Sequence, residues 1–490
     1  MNVNKEMSLK TTVSTNIPNE DLNSTVCSSS DEDKFLDEEF SDVEFSFEEE
    51  DYPIRTYSRH SKKMILILIL SALCISWSYS KTNEFNGLKE LVLVKASDSR
   101  FTYGGRWLTS TDYGSQQQTK KADWPCSDVR FDVNVDKVGA SLPIIWYGLR
   151  SRLRVTVTTP GKPNDVVFQT IFRGPSFFND RLISSMIFPE TGRFTVSVRK
   201  ISSSSPYGTG IGKTILGGSM IHFIGLGKGE NLSVLKSAPK ERSIVAIGAS
   251  DTAGWCADGT PSQSSFDYIS SGWMYEDCGV TYSSKLASKF DADLSVQAIA
   301  GIGMGQNAAS KQQWQLGSLT MPDYFRRTLR SIPNEWDFSN NNPDIVLVSL
   351  GGNDFNHQDG NEPSSAKFTS QYEDFLSFLF HSYETPANSL SSQKETNIVS
   401  ICGMGDPFEA DRDPDNNRCK PCEHVSASVR SFKASHPEFA DRLHYIDIPC
   451  DGSVVQGTND IGCDGHKNSI GQQRIANYLS PKLSLIAGWD

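Results

Sequence analysis

Two rhythms of apolar and polar residues divide the chain. Between roughly residues 97 and 230 the apolar positions alternate at period two in short runs (Val129–Val133, Leu142–Tyr147, Leu153–Thr158, Phe194–Val198 and Met220–Ile224), with Pro and Gly between them. A side chain that alternates faces along an extended backbone gives this pattern, which predicts an all-β sandwich or jelly roll over residues 97–235. From about residue 240 strand-like runs fall at 243–248, 294–299, 344–350, 397–402 and 443–448, the first and third of them rich in β-branched residues. They alternate with helix-compatible stretches at 366–383, 424–435 and 469–486, which predicts an α/β domain over 240–490: a parallel sheet wrapped by helices. No internal repeat is evident.

A third stretch has neither rhythm. Residues 64–79 carry no charge and follow Arg59-His60-Ser61-Lys62-Lys63 directly. The run is short for a span of about 20 residues, so a buried helix is the competing reading. The basic flank on one side and Trp77 and Tyr79 on the other favour a single transmembrane helix over residues 64–80. A cleaved signal peptide would need an unusually long charged region before it. Basic residues on the N-terminal side place that end in the cytosol, and the chain after about residue 80 in the lumen or outside the cell, as a single-pass type II protein. The shortness of the span points to ER or Golgi membranes. Residues 81–96 read as a stalk.

Composition adds little to this division, with 22% charged and 37% hydrophobic residues, but charge adds more. Much of the net −12 lies in the acidic block 31–51, which cannot bury a core and makes residues 1–63 a disordered cytosolic tail. No basic patch with interleaved aromatics occurs, so nucleic acid is not an expected partner. Beyond the span lie eight cysteines, Cys126, Cys256, Cys278, Cys402, Cys419, Cys422, Cys450 and Cys463. An even number in a lumenal segment reads as disulfides, whose pairing the sequence leaves open. Cys419-Lys420-Pro421-Cys422 also has the spacing of half a zinc site, but no second such pair accompanies it, so no metal is expected. Asn231-Leu232-Ser233 is a glycosylation acceptor on the lumenal side, whereas Asn23-Ser24-Thr25 is on the cytosolic side.

The candidate chemistry starts where the run Ser243–Ile247 breaks at Gly248-Ala249-Ser250, as a buried parallel strand does when it delivers a side chain to the carboxyl edge of an open sheet. Three later segments share that character. They are Ala298-Ile299-Ala300-Gly301-Ile302-Gly303, then Leu350-Gly351-Gly352-Asn353-Asp354 after the run from Asp344, then Gly462-Cys463-Asp464-Gly465-His466 ahead of the last helical stretch. Ser, Gly, Asn and His in this order resemble the four blocks of the SGNH (GDSL-type) hydrolases, and most closely family two of the carbohydrate esterases, which join a β-sandwich to an SGNH domain. The resemblance covers roughly residues 97–490. It is not the G-x-S-x-G elbow, because Thr252 stands at the second glycine. The first block departs from the usual Gly-Asp-Ser by carrying Ala249. Gly104-Gly105-Arg106-Trp107 and Ala122-Asp123-Trp124-Pro125 resemble openings of that family's β-domain.

The resemblance implies Ser250 as nucleophile and His466 as its base, since a serine hydroxyl is a poor nucleophile without one. It implies an oxyanion hole made of the Ser250 and Gly301 N–H groups and the Asn353 amide. Asp464 lies two residues before His466, where many such enzymes hold an orienting Asp three before; either Asp464 or a backbone carbonyl can orient the imidazole. Asp354 reads as structural. The expected function is serine-dependent removal of O-acetyl groups from a polysaccharide or glycan through an acyl-enzyme, with no cofactor. Two alternatives remain: a sugar O-acyltransferase, and a carbohydrate-binding protein on an inactive hydrolase fold, to which Ala249 lends weight.

Overall fold

The computed structural model describes residues 92–111, 118–148, 151–174, 182–202, 220–261, 272–308, 318–339, 342–355, 361–384, 395–404 and 419–489. The acidic tail, the expected span at 64–80 and most of the stalk lie outside the described residues. No helix among the described residues is long and apolar enough to cross a membrane.

The alternating region forms two antiparallel sheets packed face to face. One runs Leu108–Thr111, Gln118–Ala122, Ile221–Gly227, Ser141–Tyr147, Leu182–Ile187, and Val92–Lys95, within the stretch read as stalk, pairs with its Ile221–Gly227 strand. The other runs Leu232–Leu235, Asp128–Val135, Gly192–Lys200, Arg152–Thr159, Lys162–Arg173, with Thr102–Gly104 beside Asp128–Val135. The inward residues of both, among them Phe131, Val133, Trp146, Val155, Val196 and Phe223, make one apolar core.

The strand-like runs after residue 240 form a five-stranded parallel sheet. Its spatial order is Ala292–Ala298, Arg242–Gly248, Ile345–Ser349, Asn397–Cys402, Leu443–Asp447. In sequence numbering that order is 2-1-3-4-5, whose direction reverses at the first strand. Both faces are covered, which is why the central strands are nearly continuous in apolar residues, whereas the edge strands Ala292–Ala298 and Leu443–Asp447 carry polar residues. Ile247, Val346 and Val348 pack under the helices Ser365–Tyr383 and Pro421–Ser435. Ala246, Leu347 and Val399 pack under Tyr282–Lys289 and Ser469–Ala487. The SGNH-type α/β arrangement with an all-β domain ahead of it is the expected architecture.

The two domains are joined by more than chain continuity. Cys126 of the sandwich is bonded to Cys278 of the α/β domain, 152 residues away. Just before it, the Asp123 carboxylate accepts from the Arg330 N–H at 2.9 Å and the Ser331 N–H at 2.8 Å. The indole of the fully buried Trp124 donates to the Thr328 carbonyl at 3.1 Å. Arg152 donates to the carbonyls of Met274 and Glu276, and pairs with Asp258. The remaining cysteines pair as Cys256–Cys463, Cys402–Cys422 and Cys419–Cys450, so the two halves of the Cys-x-x-Cys segment are bonded to different partners and neither is a zinc thiolate.

Candidate active site

In an open sheet of 2-1-3-4-5 order, the crevice outside the carboxyl end of the first strand is where the fold leaves room for a ligand. Ser250 stands there. The first strand ends at Gly248, and Ser250 opens the single helical turn Ser250–Ala253, which closes on Gly254 at φ 79°. Behind it the Thr252 hydroxyl meets the Tyr282 phenol at 2.9 Å, where burial drives the phenol well above its ordinary pKa. Ala249 is partly buried against the core under Ser365–Tyr383, where the usual Asp would need a polar partner.

The other blocks arrive at the same edge. Gly248 is in register with Ala298 on one side and Ser349 on the other. Gly301, three residues beyond Ala298, has φ 78°, a left-handed conformation that explains glycine at this turn. The Asn353 amide donates to the Ile302 carbonyl at 2.7 Å, which seats it against the Gly301 loop and leaves its second N–H as a further donor. Asp354 is structural, as expected: its carboxylate accepts from the N–H groups of Met304 (2.9 Å), Gly305 (2.7 Å) and Gln306 (2.9 Å), joining the second block to the third. Burial raises its pKa, and those three donors oppose the rise.

His466 follows the 3-10 turn Cys463–Gly465, and two links tie its loop to the Ser250 turn. Asp251, next to Ser250, accepts from the Lys467 N–H at 3.1 Å and pairs with the Lys467 ammonium at 3.4 Å. Lys467 is fully buried, and the Asp251 carboxylate is a counter-charge for its ammonium. Cys256, six residues after Ser250, is bonded to Cys463, three before His466, with their Cα atoms 5.0 Å apart. Gly462 fits this approach because a Cβ there would lie 2.1 Å from the Cys256 carbonyl oxygen. Position 463, where many related enzymes hold their orienting Asp, is thus occupied by a disulfide. Asp464 has its backbone in the same turn. The sequence reading missed Asp251, Lys467 and the Cys256–Cys463 pairing; opposite charges immediately after the Ser and the His were the available signal. Among the described residues no cluster of His, Cys, Asp and Glu could hold a metal ion.

A turn-borne serine at the switch point, a glycine loop and an Asn amide beside it, and a histidine loop stapled to it are the arrangement expected of an SGNH-type fold with a β-sandwich ahead of it. No family model matches the chain. It is similar to the cellulase/esterase CelE of Acetivibrio thermocellus, 28% identical over 269 residues, which are 55% of this chain and 28% of that protein, so it spans well under half of that relative. A family two carbohydrate esterase from Clostridium thermocellum, in complex with cellohexaose, superposes with a TM-score of 0.59 at 19% identity over 80% of this chain and 100% of that one. The family two esterase from Cellvibrio japonicus gives 0.57 at 17% identity over 81% and 98%. An acetyl xylan esterase from Butyrivibrio proteoclasticus gives 0.59 at 13% over 80% and 96%. The likeness to the SGNH-type fold of family two carbohydrate esterases, expected from the four blocks, is therefore shown.

Proposed function

We propose that the protein is a serine carboxylic ester hydrolase that removes O-acetyl groups from a polysaccharide or glycan. The observation that carries this reading is the double tie between the nucleophile turn and the histidine loop, through Asp251–Lys467 and Cys256–Cys463. Ser250 Oγ attacks the acetyl carbonyl as His466 takes its proton, and the same proton goes to the departing sugar oxygen. Water then attacks the acetyl-enzyme, again with His466 as base, releasing acetate and free Ser250. The Ser250 and Gly301 N–H groups and the Asn353 amide receive the oxyanion, and Asp464 orients the imidazole. The similar proteins named as carbohydrate esterases support the substrate class.

The enzyme is anchored by residues 64–80, with its two domains on the lumenal or extracellular side and Asn231 glycosylated. The disulfides among the described residues suit an oxidising compartment. Asn231 is exposed, at a left-handed φ of 56° ahead of the Leu232–Leu235 strand, where an oligosaccharide has room.

The test is acetate release by the full chain from p-nitrophenyl acetate and from acetylated polysaccharides. Ser250→Ala and His466→Ala should each abolish nearly all of it, and the double variant should be little worse, because members of one catalytic unit are non-additive. Wild type and Ser250→Ala equally inert across a panel of acetylated glycans, with both folded, would overturn the reading. Acetyl transfer to an added sugar acceptor faster than to water would identify a transferase instead.

A further inference from the structure

The sheet has a second end. A cavity of about 320 Å³ opens where the amino-terminal ends of three parallel strands meet the sandwich, at Ser243, at Asp293 and at Asn342 just ahead of the third strand. At about 3.3 Å per strand residue, it lies some 15–20 Å from Ser250, across the length of the first strand. No catalytic block reaches it.

Its walls are aromatic and fixed. Tyr103 and Trp107 of the sandwich and Trp336 of the α/β domain line it. The Trp107 indole donates to the Gly104 carbonyl at 2.9 Å, and the Tyr103 and Trp107 rings meet edge to face at 5.2 Å. The buried Arg106 guanidinium stands 5.2 Å from the Trp336 ring, and the Trp336 backbone N–H donates to the Arg326 carbonyl at 2.7 Å. The polar groups are of both signs. Lys120 is held on the Thr109 hydroxyl at 2.7 Å, and the Asp293 carboxylate pairs with Arg130 at 2.6 Å, which leaves further acceptor positions on its two oxygens.

Aromatic rings set in a lining that is otherwise mostly polar suit a ring that has apolar C–H faces and a rim of hydroxyls. A phosphate-bearing ligand would meet the Asp293 carboxylate, and a wholly apolar one would strip water from Lys120 and Asp293 without replacing it. The volume is at the low end for small-molecule sites, which are about 300–1,000 Å³. We propose that this cavity is a saccharide-binding site, separate from the catalytic edge, that takes one pyranose unit of a glycan chain. It goes beyond the esterase reading and does not depend on it.

Calorimetric titration of the full chain with cellohexaose, xylohexaose and trigalacturonate tests the site. Binding of at least one probe is expected, and Trp107→Ala and Trp336→Ala should each weaken it about tenfold or more, as truncating an aromatic anchor does. Lys120→Ala and Asn342→Ala keep the walls intact, should weaken binding by a smaller factor, and carry the test if a Trp variant does not fold. All four should hydrolyse p-nitrophenyl acetate within about twofold of wild type, whereas Ser250→Ala should leave binding unchanged. Failure of all three probes to bind would overturn the proposal. Affinity unchanged in every folded variant, or loss of hydrolysis in parallel with binding, would do the same. An esterase-inactive wild type that still binds through Trp107 and Trp336 would refute the enzyme reading and leave the saccharide site standing.

Discussion

Replacing Cys256 and Cys463 together by Ser separates two things that the bridge does. The bond closes a segment of 207 residues, and the chain-entropy relation gives about 5 kcal/mol for a loop of that length. The Cys402–Cys422 and Cys419–Cys450 bridges shorten the loop only modestly, and the dependence is logarithmic. Native bridges typically deliver about 2–4 kcal/mol, so a loss in that range is expected in denaturant unfolding. The second effect is local. With the bond gone, the His466 loop is held to the nucleophile turn by Asp251–Lys467, and a slip of about 1 Å between base and nucleophile costs on the order of 10²-fold in turnover. The expected result is a fall in kcat of about 10- to 100-fold with KM little changed, or about 1.4–2.7 kcal/mol of transition-state stabilisation. Initial rates on p-nitrophenyl acetate, well below the unfolding temperature of the variant, measure it. The control is the pair Cys126→Ser and Cys278→Ser, which opens a comparable segment of 152 residues; Cys278 packs beside Gly254 at the close of the Ser250 turn, but this bond holds no part of the His466 loop. It should lose similar stability and keep its kcat. Turnover within twofold of wild type in the Cys256/Cys463 variant, or an equal fall in the control, would refute the alignment argument.

Three further outcomes are expected. Asp251→Asn removes a carboxylate from the buried Lys467 ammonium and should cost about 3 kcal/mol in urea unfolding and about tenfold in kcat; adding Lys467→Met should recover part of the stability. Asp464→Asn should preserve the thermal midpoint and lower turnover by orders of magnitude, because an amide can hold the wrong imidazole tautomer; a loss below about tenfold on p-nitrophenyl acetate would indicate a Ser–His dyad. Lys200 is buried at the domain junction, and burial lowers its pKa from 10.5 to about 8. Between those values the unfolded chain holds more protons than the folded one, so this residue's contribution to stability rises with pH. Lys200→Met should therefore be more stable than wild type by up to about 3 kcal/mol near pH 7, an advantage that shrinks as pH climbs through the window in calorimetric scans.

Much of the α/β domain was legible because its signals are local. Asn397–Cys402 was expected with the bounds it has, and the helix Ser469–Ala487 was expected within a residue. Buried parallel strands and amphipathic helices write their environment into contiguous residues. Strand Lys162–Arg173 was not expected, since it is mostly exposed or half-buried, contains Pro163 and Asp165, and shows no clean alternation. Ser250, Gly301, Asn353 and His466 were singled out through their blocks, and the structure brings their loops to one sheet edge. Asp251–Lys467 and Cys256–Cys463 span 216 and 207 residues. No local pattern encodes a partner at that distance, so these contacts emerged only from the fold.

The segment Ala122–Cys126 has a consequence for how this molecule can be divided. Asp123 satisfies backbone donors of the other domain, Trp124 lies within that domain's apolar core, and Cys126 is covalently fixed to it. Cutting the chain near residue 240 would strip the Arg330 and Ser331 N–H groups of their acceptor and open a tryptophan-sized void under Ser365–Tyr383. The sandwich is therefore structurally continuous with the α/β domain rather than a detachable module. The two should melt in one cooperative transition, and recombining either with a foreign partner requires carrying this five-residue plug along.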